Sequence, residues 1–287
     1  MTDMVDPLPP LREVIKAHDL AAKKSLGQNF LLDLNLTRRI ARVAAPLNDC
    51  SIFEVGPGPG GLTRALLMEG AAEVIAVERD DRCLPALEDV STAFDRRLKV
   101  ISEDAMRLSL EDIQAQASTD RLKIVSNLPY NIGTQLLINW LTTDAWPPAF
   151  QSLTLMFQRE VADRIVAKPG SKAYGRLAIL AQWRGNVRIA VKVPAAAFTP
   201  PPKVDSAVIH YEPGIPLDTE LKPVVLGKVT EAAFTQRRKM LRTSLKPLMG
   251  DPHPFLEAAG IAPEARAETI SVKDFVMLAK GYQDSLT

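Results

Sequence analysis

Ile52-Phe53-Glu54-Val55-Gly56-Pro57-Gly58-Pro59-Gly60-Gly61-Leu62-Thr63 runs a β-forming segment into a glycine loop, and a helical stretch follows from Leu62 to Met68. Glycines at such a turn let the backbone come close to a ligand. The order strand, glycine loop, helix is the opening of a nucleotide-binding α/β unit. The spacing is G-x-G-x-G-G and not the dinucleotide G-x-G-x-x-G, and no Lys-Ser/Thr follows, as a phosphate-cradling loop requires.

Working outward, Val74-Ile75-Ala76-Val77-Glu78 reads as a buried strand that ends in an acid. Glu78 lies about 20 residues beyond the first glycine, where a carboxylate grips a ribose diol. Leu98-Lys99-Val100-Ile101 is a third strand, and Glu103-Asp104-Ala105 follows it, so that Asp104 can reach an adenine amino group. A fourth, Leu122 to Val125, is closed by Asn127-Leu128-Pro129-Tyr130. The glycine loop, Glu78, Asp104 and Asn127 thus follow four successive strands, whose carboxyl ends are where open α/β sheets bind ligands. Acids without a phosphate-binding Lys or Arg suit S-adenosylmethionine, a cation that carries no phosphate. NAD is the ordinary reading of a glycine loop, and it fits worse on glycine spacing and on the tetrapeptide.

Asn127-Leu128-Pro129-Tyr130 matches the signature of methyltransferases that act on an exocyclic amino nitrogen. Such a nitrogen is a poor nucleophile, because its lone pair is delocalised into the ring. A site for it needs acceptors for the NH2 group and a flat face for the base. The Asn127 side-chain oxygen and the Leu128 carbonyl are the candidate acceptors, Tyr130 the stacking ring, and Pro129 the stiffener of the turn. The plain alternative is a tight turn at a strand end, which Asn and Pro also favour.

A chain of 287 residues with 46% apolar content can bury a core of one large or two modest domains. No apolar run approaches the length of a membrane span. The start, MTDMVDPLPP, lacks the basic-then-apolar plan of a signal peptide. Cys50 and Cys83 are far apart and read as reduced structural thiols of a cytoplasmic protein. His18, His210 and His253 form no cluster, so no metal site is expected.

The net charge of +1 hides an uneven distribution. Residues 51–130 hold nine Lys/Arg against fourteen Asp/Glu, whereas residues 131–200 hold eight against three. Arg237, Arg238, Lys239, Arg242 and Lys246 then follow with no acid among them. A solvated helix face accounts for any one such run, but two of them beside an amino-methylating motif point to a phosphate-binding surface. Specificity for a folded RNA would come from its shape and from a flipped base.

Strands are expected near 51–56, 73–78, 98–103, 122–127 and 153–157, with helices over 131–142, 161–167 and 177–183. Residues 187–193 and 207–211 read as an antiparallel final pair separated by the FTPPPK loop. Strand–helix alternation implies a mostly parallel sheet. From about Leu217 onward the pattern is helical. The Pro-rich start reads as mobile to about Leu11.

Five motifs in order resemble the KsgA family of small-subunit rRNA adenine N6,N6-dimethyltransferases, its bacterial branch most of all. They are Lys24 to Leu31 (KSLGQNFL), the glycine loop, Asn127 to Thr134 (NLPYNIGT), Phe198 to Val208 (FTPPPKVDSAV) and Gln236 to Arg242 (QRRKMLR). The resemblance implies a Rossmann-like class I methyltransferase fold of the α/β class, with a small C-terminal α-helical domain. The expected division is an extension over 1–19, a methyltransferase domain over 20–213, and a helical domain over 214–287 that contributes to rRNA binding.

It further implies transfer of two methyl groups from S-adenosylmethionine to N6 of each of two adjacent adenosines, leaving S-adenosylhomocysteine. The target is the loop of the 3′-terminal hairpin, late in small-subunit assembly. Gln28, Asn29 and Leu31 are placed against the cofactor, Gly56, Gly58 and Gly60 in its loop, Glu78 on the ribose and Asp104 on the adenine. Asn127 links cofactor and target, with Leu128 and Tyr130 on the target adenine and Phe198 a second aromatic face. Gln236 to Arg242 is expected to be a basic helix on the RNA, and a monomer is the default. Two alternatives remain: an Erm-type large-subunit rRNA methyltransferase, and a non-catalytic rRNA-binding assembly or transcription factor on the same scaffold.

Overall fold

The computed structural model describes residues 5–22 and 28–286, which divide into two compact units. The first comprises residues up to Leu136, Ala149–Ala162 and Arg188–Glu212; the second comprises Leu137–Pro148, Asp163–Val187 and the chain from Pro213.

The strands are β1 (Phe30–Leu31), β2 (Ser51–Val55), β3 (Glu73–Glu78), β4 (Leu98–Ser102), β5 (Leu122–Ser126), β6 (Phe150–Gln158), β7 (Gly185–Val193), β8 (Phe198–Thr199) and β9 (Ser206–Pro213). Seven of them form one sheet in the order β4-β3-β2-β5-β6-β9-β7, and β1 pairs antiparallel with β8 apart from it. β2 lies parallel to both β3 and β5, and β6 is parallel to β5 but antiparallel to β9. Every residue of β2, β3 and β5 is buried, the pattern of strands covered on both faces. The edge strand β4 is mostly part-exposed.

The chain runs outward from β2 to β3 and β4, then returns to place β5 on the other side of β2. That reversal is a topological switch point, and the loops after β2 and β5 flank it. The helix Gly61–Met68, buried over nearly its whole length, shares one apolar core with the helices Leu34–Val43 and Leu84–Ala93 and with residues of β2 and β3. Asp33 caps the helix Leu34–Val43 through Asn35 and Leu36.

The second unit is helical around Tyr174, Trp183, Leu226 and Phe275, all buried. Phe234 stacks on Phe275 at 5.7 Å between centroids and meets Tyr174 edge-on. Arg184, 3% exposed, lies over the Trp146 and Trp183 rings and donates to the Thr143 carbonyl at 2.7 Å. The segments 137–148 and 163–187 therefore join the C-terminal helices in this unit. A linear reading misses such membership, because shared burial and not chain order assigns a helix to a core.

Three local expectations differ from the structure. Arg237, Arg238 and Lys239 do not form a helix: Pro223–Thr235 ends at Gln236, and the basic residues make a turn before Met240 bridges to Arg266. The Pro-rich start is held from Asp6 on, since the buried Arg64 pairs with Asp6 and donates to the carbonyls of Leu8 and Pro9. The FTPPPK loop contributes β8, which pairs Phe198 with Leu31.

Candidate active site

At the end of β2 the backbone turns through Gly56 and Gly58 with φ of +67° and +56°, which L side chains rarely adopt. A Cβ at Gly56 would lie 3.4 Å from Pro129 Cγ, and one at Gly58 would lie 3.0 Å from Phe30 Cε1. The glycine loop is thereby pressed against the tetrapeptide on one side and β1 on the other. Gly56 N–H donates to the Val77 carbonyl at 2.9 Å, and Ser126 Oγ donates to the Val55 carbonyl at 2.7 Å.

Glu78, 5% exposed, ends β3 inside this frame. Its Oε2 accepts from Gly58 N–H at 2.9 Å and its Oε1 from Asp80 N–H at 2.8 Å. Burial raises its pKa, and these backbone donors hold part of the rise back. Each oxygen keeps a lone pair for another donor, such as a diol hydroxyl. Asp80 is held near pKa 2 by Arg82 first of all and also by Gln28, whose Nε2 donates to it at 2.9 Å.

Asp104 follows β4, accepts from Met106 N–H at 3.0 Å, and has Arg79 Nη1 at 3.3 Å from its other oxygen.

After β5, Asn127 Nδ2 donates to the Asn29 carbonyl at 3.3 Å. A carbonyl can only accept, so this contact sets the amide orientation and leaves Oδ1 for a donor. Pro129's carbonyl accepts from Ile132 and Gly133, closing the turn that starts the helix Gly133–Leu141. Among the described residues the Leu128 carbonyl receives no donor. A Cβ at Gly133 would stand 3.1 Å from Leu128 Cβ, so the missing side chain gives Leu128 its place. The Tyr130 hydroxyl lies 2.7 Å from Ser206 Oγ, and burial raises its pKa with the Ser206 bond opposing.

One cavity brings together Gln28, Asn29, Leu31, Gly56, Gly58, Glu78, Asp104 and Asn127 to Tyr130. Two expected residues do not line it. Gly60, φ +87°, faces Val90, where a Cβ would come within 3.1 Å, so it serves the start of the helix Gly61–Met68. Phe198 is 2% exposed and packs in the core, because pairing of β8 with β1 turns it inward; a second aromatic face at this position is not met.

The cavity also holds residues the motifs did not single out: Leu11, Phe30, Glu54, Arg79, Glu103 and Ile132. Glu54 carried a signal, a carboxylate inside an apolar strand. It is 1% exposed, accepts from Thr63 Oγ1 at 2.6 Å, and is raised from 4.5 to about 8, by burial first and then by Glu78, against the Thr63 bond. Leu11 carried none.

The donor set fits S-adenosylmethionine. Four carboxyl groups, from Glu54, Glu78, Glu103 and Asp104, line the cavity, Glu54 holding its proton near neutral pH, and among the described lining residues Arg79 is the one guanidinium. A phosphate-bearing ligand would meet repulsion there and a cationic one attraction.

In the second unit, Arg237 pairs with Glu268 at 2.8 Å and Arg242 with Glu264 at 3.0 Å, while Arg238, Lys239 and Lys246 are exposed. Two of the five basic candidates are thus partly neutralised by acids that lie far on in sequence.

The family model of ribosomal RNA adenine dimethylases matches residues 20–284. A relative from Ruegeria sp. (strain TM1040), named ribosomal RNA small subunit methyltransferase A, is 58% identical over 97% of this chain and 98% of its own. A protein of the same name from Paracoccus denitrificans is 59% identical over 96% and 97%. Among solved structures, a dimethyladenosine transferase from Plasmodium falciparum superposes with a TM-score of 0.70 at 23% identity, over 88% of this chain and 96% of that one. The 23S rRNA methyltransferase ErmE superposes at 0.67 and 23%, over 89% and 100%; at such identities both report the fold alone.

Proposed function

Because the chain belongs to the ribosomal RNA adenine dimethylase family, we propose that it methylates small-subunit rRNA at N6 of two adjacent adenosines in the 3′-terminal hairpin loop, twice each. The methyl donor in this reading is S-adenosylmethionine, the place of action the cytoplasm, and the acting form a monomer on late small-subunit precursors.

The observation that carries the reading is the Asn127–Asn29 contact, which commits the amide nitrogen to the protein and leaves Oδ1 for another donor, while the carbonyl of the next residue, Leu128, receives no donor among the described residues. Two acceptors set on one turn match the two hydrogens of an adenine amino group.

Gln28, Asn29 and Leu31, the backbone of Gly56 and Gly58, Glu78 and Asp104 would hold the cofactor, with Glu78 on the diol and Asp104 on the adenine. When bound, that group supplies an electrophilic methyl on a cationic sulfur. Tyr130 supplies the face on which the target base stacks, with Ser206 holding its hydroxyl. Asn127 Oδ1 and the Leu128 carbonyl accept the N6 hydrogens. As the nitrogen becomes pyramidal and partly cationic, these acceptors bind it more strongly than the planar amine, which is differential transition-state stabilisation. Proximity and orientation supply the rest, and the proton leaves to water. The residues over 214–287, with Arg238, Lys239 and Lys246 exposed, would contact phosphates independently of sequence.

The test is mass spectrometry of nucleosides from unmethylated small subunits incubated with the protein and S-adenosylmethionine. Dimethyladenosine confined to the 3′-terminal hairpin is expected. Product on large-subunit rRNA alone would move the chain to the Erm-type branch, and no product with either would leave a binding scaffold.

A further inference from the structure

We propose that the N-terminal segment Asp6–His18, which lies outside the part matched by the family model, is a wall of the cofactor cavity, with Leu11 the residue that contacts the ligand. The inference rests on the cofactor reading above and adds a binding residue to it.

Leu11 opens the helix Leu11–Ala17, is 7% exposed, and lines the same cavity as Glu78 and Asn127. Its approach is made possible by Gly61, where a Cβ would fall 2.9 Å from Leu11 Cδ2 and 2.8 Å from the Leu31 carbonyl oxygen. Leu11 and β1 thus meet at the first residue of the helix that begins the glycine loop's exit.

The segment is pinned on both sides of Leu11. On one side the buried Arg64 pairs with Asp6 and donates from Nη2 to the Leu8 carbonyl at 3.1 Å and the Pro9 carbonyl at 2.8 Å. On the other, His18 Nε2 lies 3.0 Å from Asp89 Oδ2. Beneath the helix is a second cavity, lined by Val14, Ala17, Pro59, Ala86 and Val90 among others. Leu8, Val14 and Ile15 pack against the apolar core, so the segment is held by these contacts together with Leu11 and the Arg64 cluster. Asp6 and Arg64 are positioning residues that act through Leu11.

The test is calorimetric titration of the full-length protein with S-adenosylmethionine alone, without RNA. Leu11→Ala is expected to weaken binding about tenfold, since an apolar contact of one side chain is lost. Asp6→Asn should follow in the same direction. Val224→Ala, which shortens an exposed apolar side chain outside this segment, should bind as wild type does. Wild-type affinity in Leu11→Ala would overturn the proposal, whereas a wild-type protein that binds no S-adenosylmethionine would overturn the cofactor reading instead. Should Leu11→Ala fail to fold, hydrogen exchange of the wild type decides: amides over 8–18 gaining protection with cofactor supports the wall, and unchanged protection overturns it.

Discussion

Under the proposed function, Asn127 is the residue whose change should separate chemistry from binding. Asn127→Ala removes an acceptor and the tie to Asn29, so methylation should fall by about 10²-fold or more, the scale of losing one transition-state hydrogen bond, while RNA affinity stays. Single-turnover rates beside filter binding check this. Tyr130 and Ser206 should act as a pair, because each hydroxyl has the other at 2.7 Å. Tyr130→Phe and Ser206→Ala should raise KM for RNA similarly, and the double variant should be no worse than either. Glu54 has a signature in pH. Its folded pKa of about 8 stands above its ordinary 4.5, so between those values the unfolded chain is ionised there while the folded chain holds the proton. Stability from this group therefore falls as pH rises through that window and levels off above it, a change on the order of a few kcal/mol. Glu54→Gln should flatten this slope in denaturant titrations of the ligand-free protein, with its advantage over wild type largest at the upper end of the window. Asn127, Tyr130, Glu78 and Asp104 were legible because motif residues at strand ends reach a shared site. Phe198 packs in the core and does not line that cavity, a placement that depends on β8, which pairs with the distant β1.

At the scale of elements, the glycine loop and the basic turn behave differently. Gly56→Ala places a Cβ 3.4 Å from Pro129 on a backbone at φ +67°, and the strain belongs to the conformation as much as to the contact. A loss of about 1–2 kcal/mol of stability is expected, together with weaker cofactor binding, measured by thermal unfolding and calorimetry. Arg237, Arg238 and Lys239 lie in a turn and not on a helix face, and Arg237 is paired with Glu268. Arg237→Glu with Arg238→Glu should weaken RNA binding and lower its salt slope by about one to two phosphate contacts, leaving cofactor affinity intact. Unchanged small-subunit affinity across a salt series would remove this turn from the RNA surface. The parallel strands were legible as continuous apolar runs. β1 and β8 were not, since a two-residue pair between Phe30–Leu31 and Phe198–Thr199 has no periodicity to read.

At the scale of the whole molecule, a near-neutral chain keeps an acidic cavity in one unit and exposed cations in the other. Saturation with S-adenosylmethionine at 100 times its Kd should raise the unfolding free energy by about 2.7 kcal/mol. Calorimetry should place that gain in the transition of the unit that contains β2, β3 and β5.

The sequence by itself determined the succession of parallel strands in the first half and the candidate residues that follow β2, β3, β4 and β5, including the Asn127–Tyr130 turn. These depend on local runs of apolar residues, glycine spacing and a tetrapeptide, all of which are near neighbours in the chain. Only the tertiary structure decided that Leu11 walls the cavity, that Arg64 holds the N-terminal segment, that Phe198 is core, and that residues 137–148 and 163–187 belong to the helical unit. Each of these depends on contacts between residues far apart in the chain, and burial acts on whichever surfaces the fold brings together.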